Sequence, residues 1–381
     1  MPMRVVTVMP GVTPDGGAEQ SLVAMAPGLR AQGIDLHVVV LTRRQELVPE
    51  LERNGVVVHD LSDRRFWTRI TGLRELIRSL EPDLLHATLY EASVPAQLAS
   101  IGTGVPVLIS WASVSYNAER LGEPGTNVLK VRGVQVVEAI LGRLSRSWYH
   151  AVTVGVGEAN ARALRVPPGR VLVGERGRED TLKSSDAPSR CSLESVCLPD
   201  GARMILAIGR QDVQKGYETL LPAFDEVAGR HPSAYLVIAG RKGSATTRLN
   251  EVRRTMRYGD RVRFLGHRND VPALLRAADA VVCASWREGA AGALIEAMAS
   301  RKPIVTVQLD GLVGVFDDGH NALVVPRGEL ATALARVLDD RELADRIARA
   351  GRQTFEERFT LDAATARTAE IFRSVSGLDS G

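Results

Sequence analysis

Short apolar, β-branched runs alternate with segments of helical period along this chain, and no other feature limits its fold as much. "RVVTVM", "LHVVVL", "VVVHDL", "DLLHAT" and "VPVLIS" come first, followed by "MILAIG", "AYLVIAG", "RVRFLG", "DAVVCAS" and "PIVTV". A run that is apolar at nearly every position is buried on both faces. Its alternation with helices therefore predicts α/β structure with parallel sheets covered on each side. The pattern occurs twice. Between the two series, Glu175 to Ala202 reads "ERGREDTLKSSDAPSRCSLESVCLPDGA", polar and turn-forming without a sustained apolar period, which predicts a domain junction. The 381 residues agree, since a domain holds roughly 150. Two doubly wound domains would meet at a cleft, and open α/β sheets take ligands outside the carboxyl ends of their strands. After the second series, "LADRIARAGRQTFEERFTLDAATARTAEIFRSV" predicts two terminal helices broken near Phe359 and Thr360.

The bulk numbers exclude several classes. With 45% hydrophobic and 24% charged residues the composition is that of a globular protein, and a net charge of +3 is too small for a dedicated nucleic-acid binder. The start "MPMRVVTVMPGVTPDGG" lacks the apolar stretch of a signal peptide, and no run of about 18 apolar residues offers a membrane span, so a cytoplasmic protein is expected. Cys191, Cys197 and Cys283 are odd in number and lack CxxC spacing, which supports neither a disulfide framework nor a zinc site. "PGVTPDGGAEQ" replaces a GxGxxG after the first strand and speaks against nicotinamide binding.

Three places could carry chemistry. Gly16 and Gly17 open a helix near Ala18, where backbone N–H groups can approach an anion; the plain alternative is an ordinary strand-to-helix turn. "AIGRQDVQKG" sets Gly209, Arg210 and Lys215 after the first strand of the second series, and a planar fork beside a compact charge suits a diphosphate. The alternative is a solvated basic loop. "SWREGAAGALIEAMAS" puts Glu288 in the loop after "DAVVCAS" and Glu296 in the following helix, with Gly289, Ala290, Ala291 and Gly292 between them. Small residues let a polyhydroxylated ligand lie against the backbone while each carboxylate accepts from its hydroxyls. Taken singly, either glutamate also reads as a solvated or helix-start carboxylate.

Taken together, the Gly16-Gly17-Ala18-Glu19 loop, "GRQDVQKG", "RFLGHRNDVPALLRAADAVVCAS", the E-x7-E pattern and "DDGHNALVVP" resemble the retaining GT-B glycosyltransferases of glycosyltransferase family 4. The resemblance covers most of the chain and is densest from Ile205 to Pro326. It implies two Rossmann-like domains: residues 1–178 on the acceptor side, a linker at 179–202, a nucleotide-sugar domain at 203–356, and a helix at 357–381 crossing back to the first domain. By the same resemblance Arg210 and Lys215 hold the diphosphate, Glu296 takes the ribose hydroxyls, and Glu288 with the adjacent backbone faces the transferred sugar. Gly266, His267 and Arg268 would flank the base. His86, Trp111, Ser113 and Asn117 would lie on the acceptor side. The implied co-substrate is a nucleoside-diphosphate sugar, with no metal and no other cofactor. The acceptor would be a carbohydrate, a lipid-linked molecule or a small molecule, attacking from the leaving group's own face.

The chain also departs from that pattern. Ala112 stands near the position of a family histidine, Thr88 and Glu91 stand where relatives often carry others, Ala290 replaces a frequent aromatic, and Gly314 replaces a common glutamate. His86 alone reads more readily as a packed or capped strand-end histidine than as a catalyst. These departures keep other readings open: a donor-binding but catalytically silent partner subunit, or an epimerase or phosphorylase on the same architecture. Finally, "SDRRFWTRITGLRELIRSLEP" interleaves Arg64, Arg65, Arg69, Arg74 and Arg78 with Phe66, Trp67, Ile70 and Leu73. It reads either as a solvated helix with one core face or as a contact with an anionic membrane.

Overall fold

A computed structural model describes residues 2–14, 17–122, 126–182 and 196–378. Gly16 and residues 183–195 of the expected linker lie outside the described residues. The chain forms two compact units, Met1–Arg178 with Phe359–Gly381, and Glu179–Arg358.

In the first unit seven parallel strands are laid out in the order β3-β2-β1-β4-β5-β6-β7. They are β1 (Met3–Met9), β2 (Ile34–Val40), β3 (Val57–Asp60), β4 (Leu84–Thr88), β5 (Val107–Trp111), β6 (Trp148–Ala151) and β7 (Val171–Val173). β1 runs in register with β2 from Met3↔Ile34 to Met9↔Val40 and carries β4 on its other edge. The strand order reverses there. One face is covered by the helix Gly17–Ala31 and by the closing helix Leu361–Ser376, whose Ile371, Phe372 and Val375 are buried in one cluster with Met25, Ala26 and Leu29. The closing helix begins where the apolar period breaks: Thr360 accepts a hydrogen bond from the Ala363 amide at 3.2 Å, an N-cap that satisfies an otherwise orphaned donor.

The second unit holds six parallel strands in the order β10-β9-β8-β11-β12-β13. These are β8 (Arg203–Ile208), β9 (Ala234–Ala239), β10 (Val262–Gly266), β11 (Ala280–Cys283), β12 (Ile304–Val307) and β13 (Leu323–Val325). Its order reverses between β8 and β11.

Every apolar run singled out in the sequence is a strand. β6, β7 and β13 had no such signal. They are three or four residues long, β6 contains His150, and each is defined by the neighbour whose ladder it extends. In the helix Phe66–Leu80, Ile70, Leu73 and Ile77 are buried, and the Arg74 guanidinium donates to the Leu98, Ala99 and Ile101 carbonyls. The apolar face of this basic helix is therefore a core face, and only Phe66 and Trp67 remain outside.

Removing the Phe372 ring should leave a cavity between the sheet and two helices. Phe372→Ala is expected to cost about 3–5 kcal/mol, measured by urea unfolding. A loss below about 1 kcal/mol would show that the closing helix contributes little to the core of this unit.

Candidate functional site

The second sheet's order reversal gives its loops an unusual neighbour. The loop leaving β8 and the loop leaving β11 start from adjacent strands and run to opposite sides, so side chains distant in sequence meet above the carboxyl ends. Lys215 from the first loop donates to Glu288 Oε1 of the second at 2.7 Å, and Ser285 Oγ donates to the same oxygen at 2.6 Å. Oε2 of Glu288 accepts no hydrogen bond from the described residues. Burial alone would lower the Lys215 ammonium, but the Glu288 carboxylate more than reverses that and holds it above the usual lysine value. Burial pushes the adjacent Cys283 thiol up, so it stays protonated at neutral pH.

Two glycines shape the first loop. Gly216 has φ +64°, and a Cβ there would lie 1.9 Å from the Ala284 carbonyl oxygen, so the loops touch backbone to backbone. Gly209 has φ +151°, and a Cβ would press on the Lys215 stem at 2.9 Å. The buried Tyr217 hydroxyl donates to the Gly209 carbonyl at 3.0 Å and closes the turn. The Trp286 amide donates to the Gln214 carbonyl at 2.8 Å, and Gln214 Nε2 returns a bond to the Arg287 carbonyl at 3.1 Å. Arg327, far along the chain, lies 3.8 Å from the Trp286 ring centroid, donates to Ser285 O at 2.9 Å and also bonds Ala284 O. Thus a cation–π contact and backbone bonds clamp the segment that carries Glu288.

Beyond Glu288 the chain turns through Gly289 and Ala290 to Ala291, whose φ of +43° is rare for a residue with a Cβ. The helix Gly292–Ala299 starts there without a side-chain cap, so its first amides are left for solvent or a ligand. Lys215, Tyr217, Ser285, Glu288, Ala291 and Gly292 are among the residues lining one cavity of about 40 Å³.

The structure thus brings Lys215, Glu288, Ala291 and Gly292 together, with Gly209 packed behind. Other expected donor residues do not line this cavity. Arg210 is exposed and paired with Asp212 at 3.2 Å. Glu296 sits half-buried one turn into the helix. The Gly266 carbonyl accepts from the Gly240 amide at 2.8 Å, exposed His267 faces Arg241 Nε at 3.4 Å, and Arg268 forms a two-point pair with Asp270 at 2.7 and 2.6 Å. Sequence reasoning missed Tyr217, Ser285 and Arg327. The first two adjoin motif residues, whereas Arg327 gave no local signal.

In the first unit, Gly17 is exposed and opens the helix Gly17–Ala31. His86 is buried in a closed polar chain. Thr7 Oγ1 lies 3.2 Å from His86 Nδ1, His86 Nε2 lies 2.8 Å from Ser110 Oγ, Ser110 Oγ lies 2.9 Å from His150 Nδ1, and His150 Nε2 lies 2.7 Å from the Gly174 carbonyl. A carbonyl can only accept, so with both rings neutral every proton's direction follows: His150 donates to Gly174, Ser110 to His150, His86 to Ser110 and Thr7 to His86. Burial pulls His86 down to about 3 and His150 to about 4, which keeps both neutral. Both ring nitrogens of His86 are therefore occupied inside the core. Trp111 is buried and stacked on Tyr149 at 4.3 Å. The Ser113 carbonyl accepts from Asn160 at 2.9 Å, and Asn117 Oδ1 accepts from the Arg120 amide at 3.0 Å.

Residues 194–354 match the family described as Glycosyl transferases group 1, and residues 16–177 match the Glycosyl transferase 4-like domain. The chain is 27% identical to D-inositol 3-phosphate glycosyltransferase 2 of Catenulispora acidiphila, over 97% of this chain and 92% of that protein. It is 26% identical to the alpha-D-kanosaminyltransferase of Streptomyces kanamyceticus, over 71% of each. Among solved structures, Anabaena HepE in complex with UDP superposes with a TM-score of 0.81 at 20% identity, covering 98% of this chain and 100% of that one. At that identity the superposition speaks to fold alone.

The neutral histidine chain carries a pH signature. Between the ordinary histidine value of 6.5 and the depressed values of about 3 and 4, the unfolded chain binds protons that native His86 and His150 refuse. Stability should therefore fall as pH drops from 6.5 toward 4, read from urea midpoints of the first unit's transition. A His86→Gln, His150→Gln double variant should flatten that slope; an equal slope in both proteins would show that the histidines are not its source. In the second unit, Arg327→Ala should cost about 1.5–3 kcal/mol, the range for hydrogen bonds from a charged group, and expose the 284–288 loop to protease. Wild-type cleavage kinetics would remove the clamp.

Proposed function

Because this chain belongs to the glycosyl transferases group 1 (glycosyltransferase family 4) and has their GT-B fold, we propose that it moves a hexose-type sugar from a nucleoside diphosphate to an acceptor hydroxyl, with retention at the anomeric carbon and without a metal at the diphosphate. The observation that carries this reading is the Lys215–Glu288 pair at the order reversal of the second sheet, beside an uncapped helix start. Nucleotide and sugar need different things from such a place. As the sugar–phosphate bond breaks, negative charge grows on the leaving diphosphate. Lys215, held cationic, and the amides at Gly292 and Ala293 offer it fixed positive charge without reorganisation. Lys215 spends one of its three donors on Glu288, leaving others for phosphate oxygens.

Glu288 is pinned through Oε1 by Lys215 and Ser285, which orients Oε2 for a sugar hydroxyl. It is the one carboxylate lining this cavity among the described residues. A carboxylate so fixed interacts more strongly with the transferred ring as that ring gains positive character. Arg210 is assigned to the outer phosphate by releasing Asp212, and Glu296 to the ribose hydroxyls. Gly17, like the neighbouring Gly16, is assigned to binding an anion at the start of the helix Gly17–Ala31. Gly266, His267 and Arg268 are assigned to the base; Trp111, Ser113 and Asn117 remain the acceptor-side assignment. The Anabaena structure of the same fold holds UDP, which supports a nucleotide ligand of this class.

The two partners of the ion pair should fail differently. Lys215→Met is expected to weaken a free nucleoside diphosphate by roughly 10-fold to 150-fold, the range of a lost charge-assisted bond. Glu288→Gln should leave nucleotide affinity within about threefold yet slow turnover by roughly 150-fold, for about 3 kcal/mol lost in the transition state. Calorimetry with a panel of nucleoside diphosphates, followed by turnover with the matching sugar donors in chelator, separates these outcomes. Parallel losses of binding in both variants, or turnover that chelation abolishes and divalent metal restores, would overturn the assignment.

A further inference from the structure

The helix Val128–Leu144 carries an apolar stripe that the described residues of its own unit do not cover. Leu129 is 85% exposed, Val136 57%, Ile140 50% and Leu144 63%, and Val137 is also outside. Together with Gly133, these positions follow helical spacing and form one stripe along the full length of the helix. The helix cannot turn this face inward without giving up another. Its inner side carries buried Glu138, Leu141 and Gly142, and Glu138 accepts a hydrogen bond from the buried Tyr116 hydroxyl. The amino end is fixed by Asn127, whose side chain accepts from the Lys130 amide at 3.0 Å.

Charge decides what can cover such a face. Exposed Lys130, Arg132 and Arg143 flank the stripe, and Glu138, the one acid on the helix, points into the unit. Exposed apolar surface on this scale, flanked along its own helix by basic side chains, marks an interaction site and not a solvated face. A second copy laid antiparallel on the stripe would set Lys130 and Arg132 against Arg143 of that copy, and the like charges would repel. An anionic bilayer surface meets both demands. Apolar side chains enter the boundary between headgroups and acyl chains, while the long basic side chains reach up to anionic headgroups.

We propose that the helix Val128–Leu144 is a membrane-docking element that lies in the headgroup plane of an anionic bilayer. It lies on the surface and does not cross it, for among the described residues no helix is long and apolar enough to span a membrane. This docking is independent of the donor assigned to the second unit. It also moves any membrane contact away from the basic helix Phe66–Leu80, whose apolar face is used by the core.

Flotation of the whole protein with vesicles of phosphatidylcholine containing phosphatidylglycerol tests this directly, with no sugar donor present. At low salt the wild-type chain should float with the anionic vesicles. Binding should weaken by about tenfold or more on pure phosphatidylcholine and at high salt, since exposed charges are screened beyond about 10 Å at 0.1 M. Val136→Glu and Ile140→Glu, each changing a side chain outside the core, should each lower anionic-vesicle binding by about tenfold or more, while Trp67→Glu stays within about twofold of wild type. The proposal falls if folded wild-type protein does not float at low salt, or if Trp67→Glu abolishes flotation while the two helix variants retain it. It falls equally if sedimentation velocity finds a dimer that Ile140→Glu dissociates and vesicles go unbound, because the occupant is then a second copy.

Discussion

A parallel strand buried on both faces has no polar side to spare. Its ladder satisfies the backbone, helices cover both surfaces, and polar chemistry is left to the loops where the chain leaves the sheet. Adjacent strands usually send their connections the same way. At β8 and β11 the connections diverge, and the loops stand side by side. Close approach there depends on Gly216, because any Cβ would strike the Ala284 carbonyl. The Lys215–Glu288 pair, the Ser285 bond and the Arg327 clamp all follow from that contact.

The same architecture gives the two units opposite polar interiors. In the first, His86, Ser110 and His150 occupy three neighbouring strands, and their hydrogen bonds run in one direction to the Gly174 carbonyl. Every ring nitrogen has a partner, burial keeps the rings neutral, and the chain is closed. In the second, Glu288 keeps an oxygen without a partner among the described residues, and the helix start beside it has no side-chain cap. A satisfied network holds strands together; an unsatisfied charged one is poised for a ligand.

Two helices of the first unit show how little basic, apolar composition says about destination. Phe66–Leu80 buries Ile70, Leu73 and Ile77 and ties Arg74 to backbone carbonyls. Val128–Leu144 instead buries its glutamate against Tyr116 and leaves Leu129, Val136, Ile140 and Leu144 outside. In the second helix the inner face carries a buried hydrogen bond to a residue outside the helix, and no hydrophobic period could have announced it.

What the sequence determined alone was whatever depends on neighbours a few residues apart. Continuous apolar runs mark the long strands, the helical period breaks where Thr360 caps the closing helix, and glycines beside charged residues mark the loops at Lys215 and Glu288. The two doubly wound sheets and the place of the candidate site follow from that local grammar. The tertiary structure decided everything that joins distant positions. It paired Lys215 with Glu288, drew Arg327 onto Trp286, gave His86 its partners on β1 and β5, and made strands of β6, β7 and β13, which are too short to declare themselves. The reason is physical: a period is written in consecutive residues, whereas an ion pair or an edge strand exists only once the topology has brought its partner within a few ångströms.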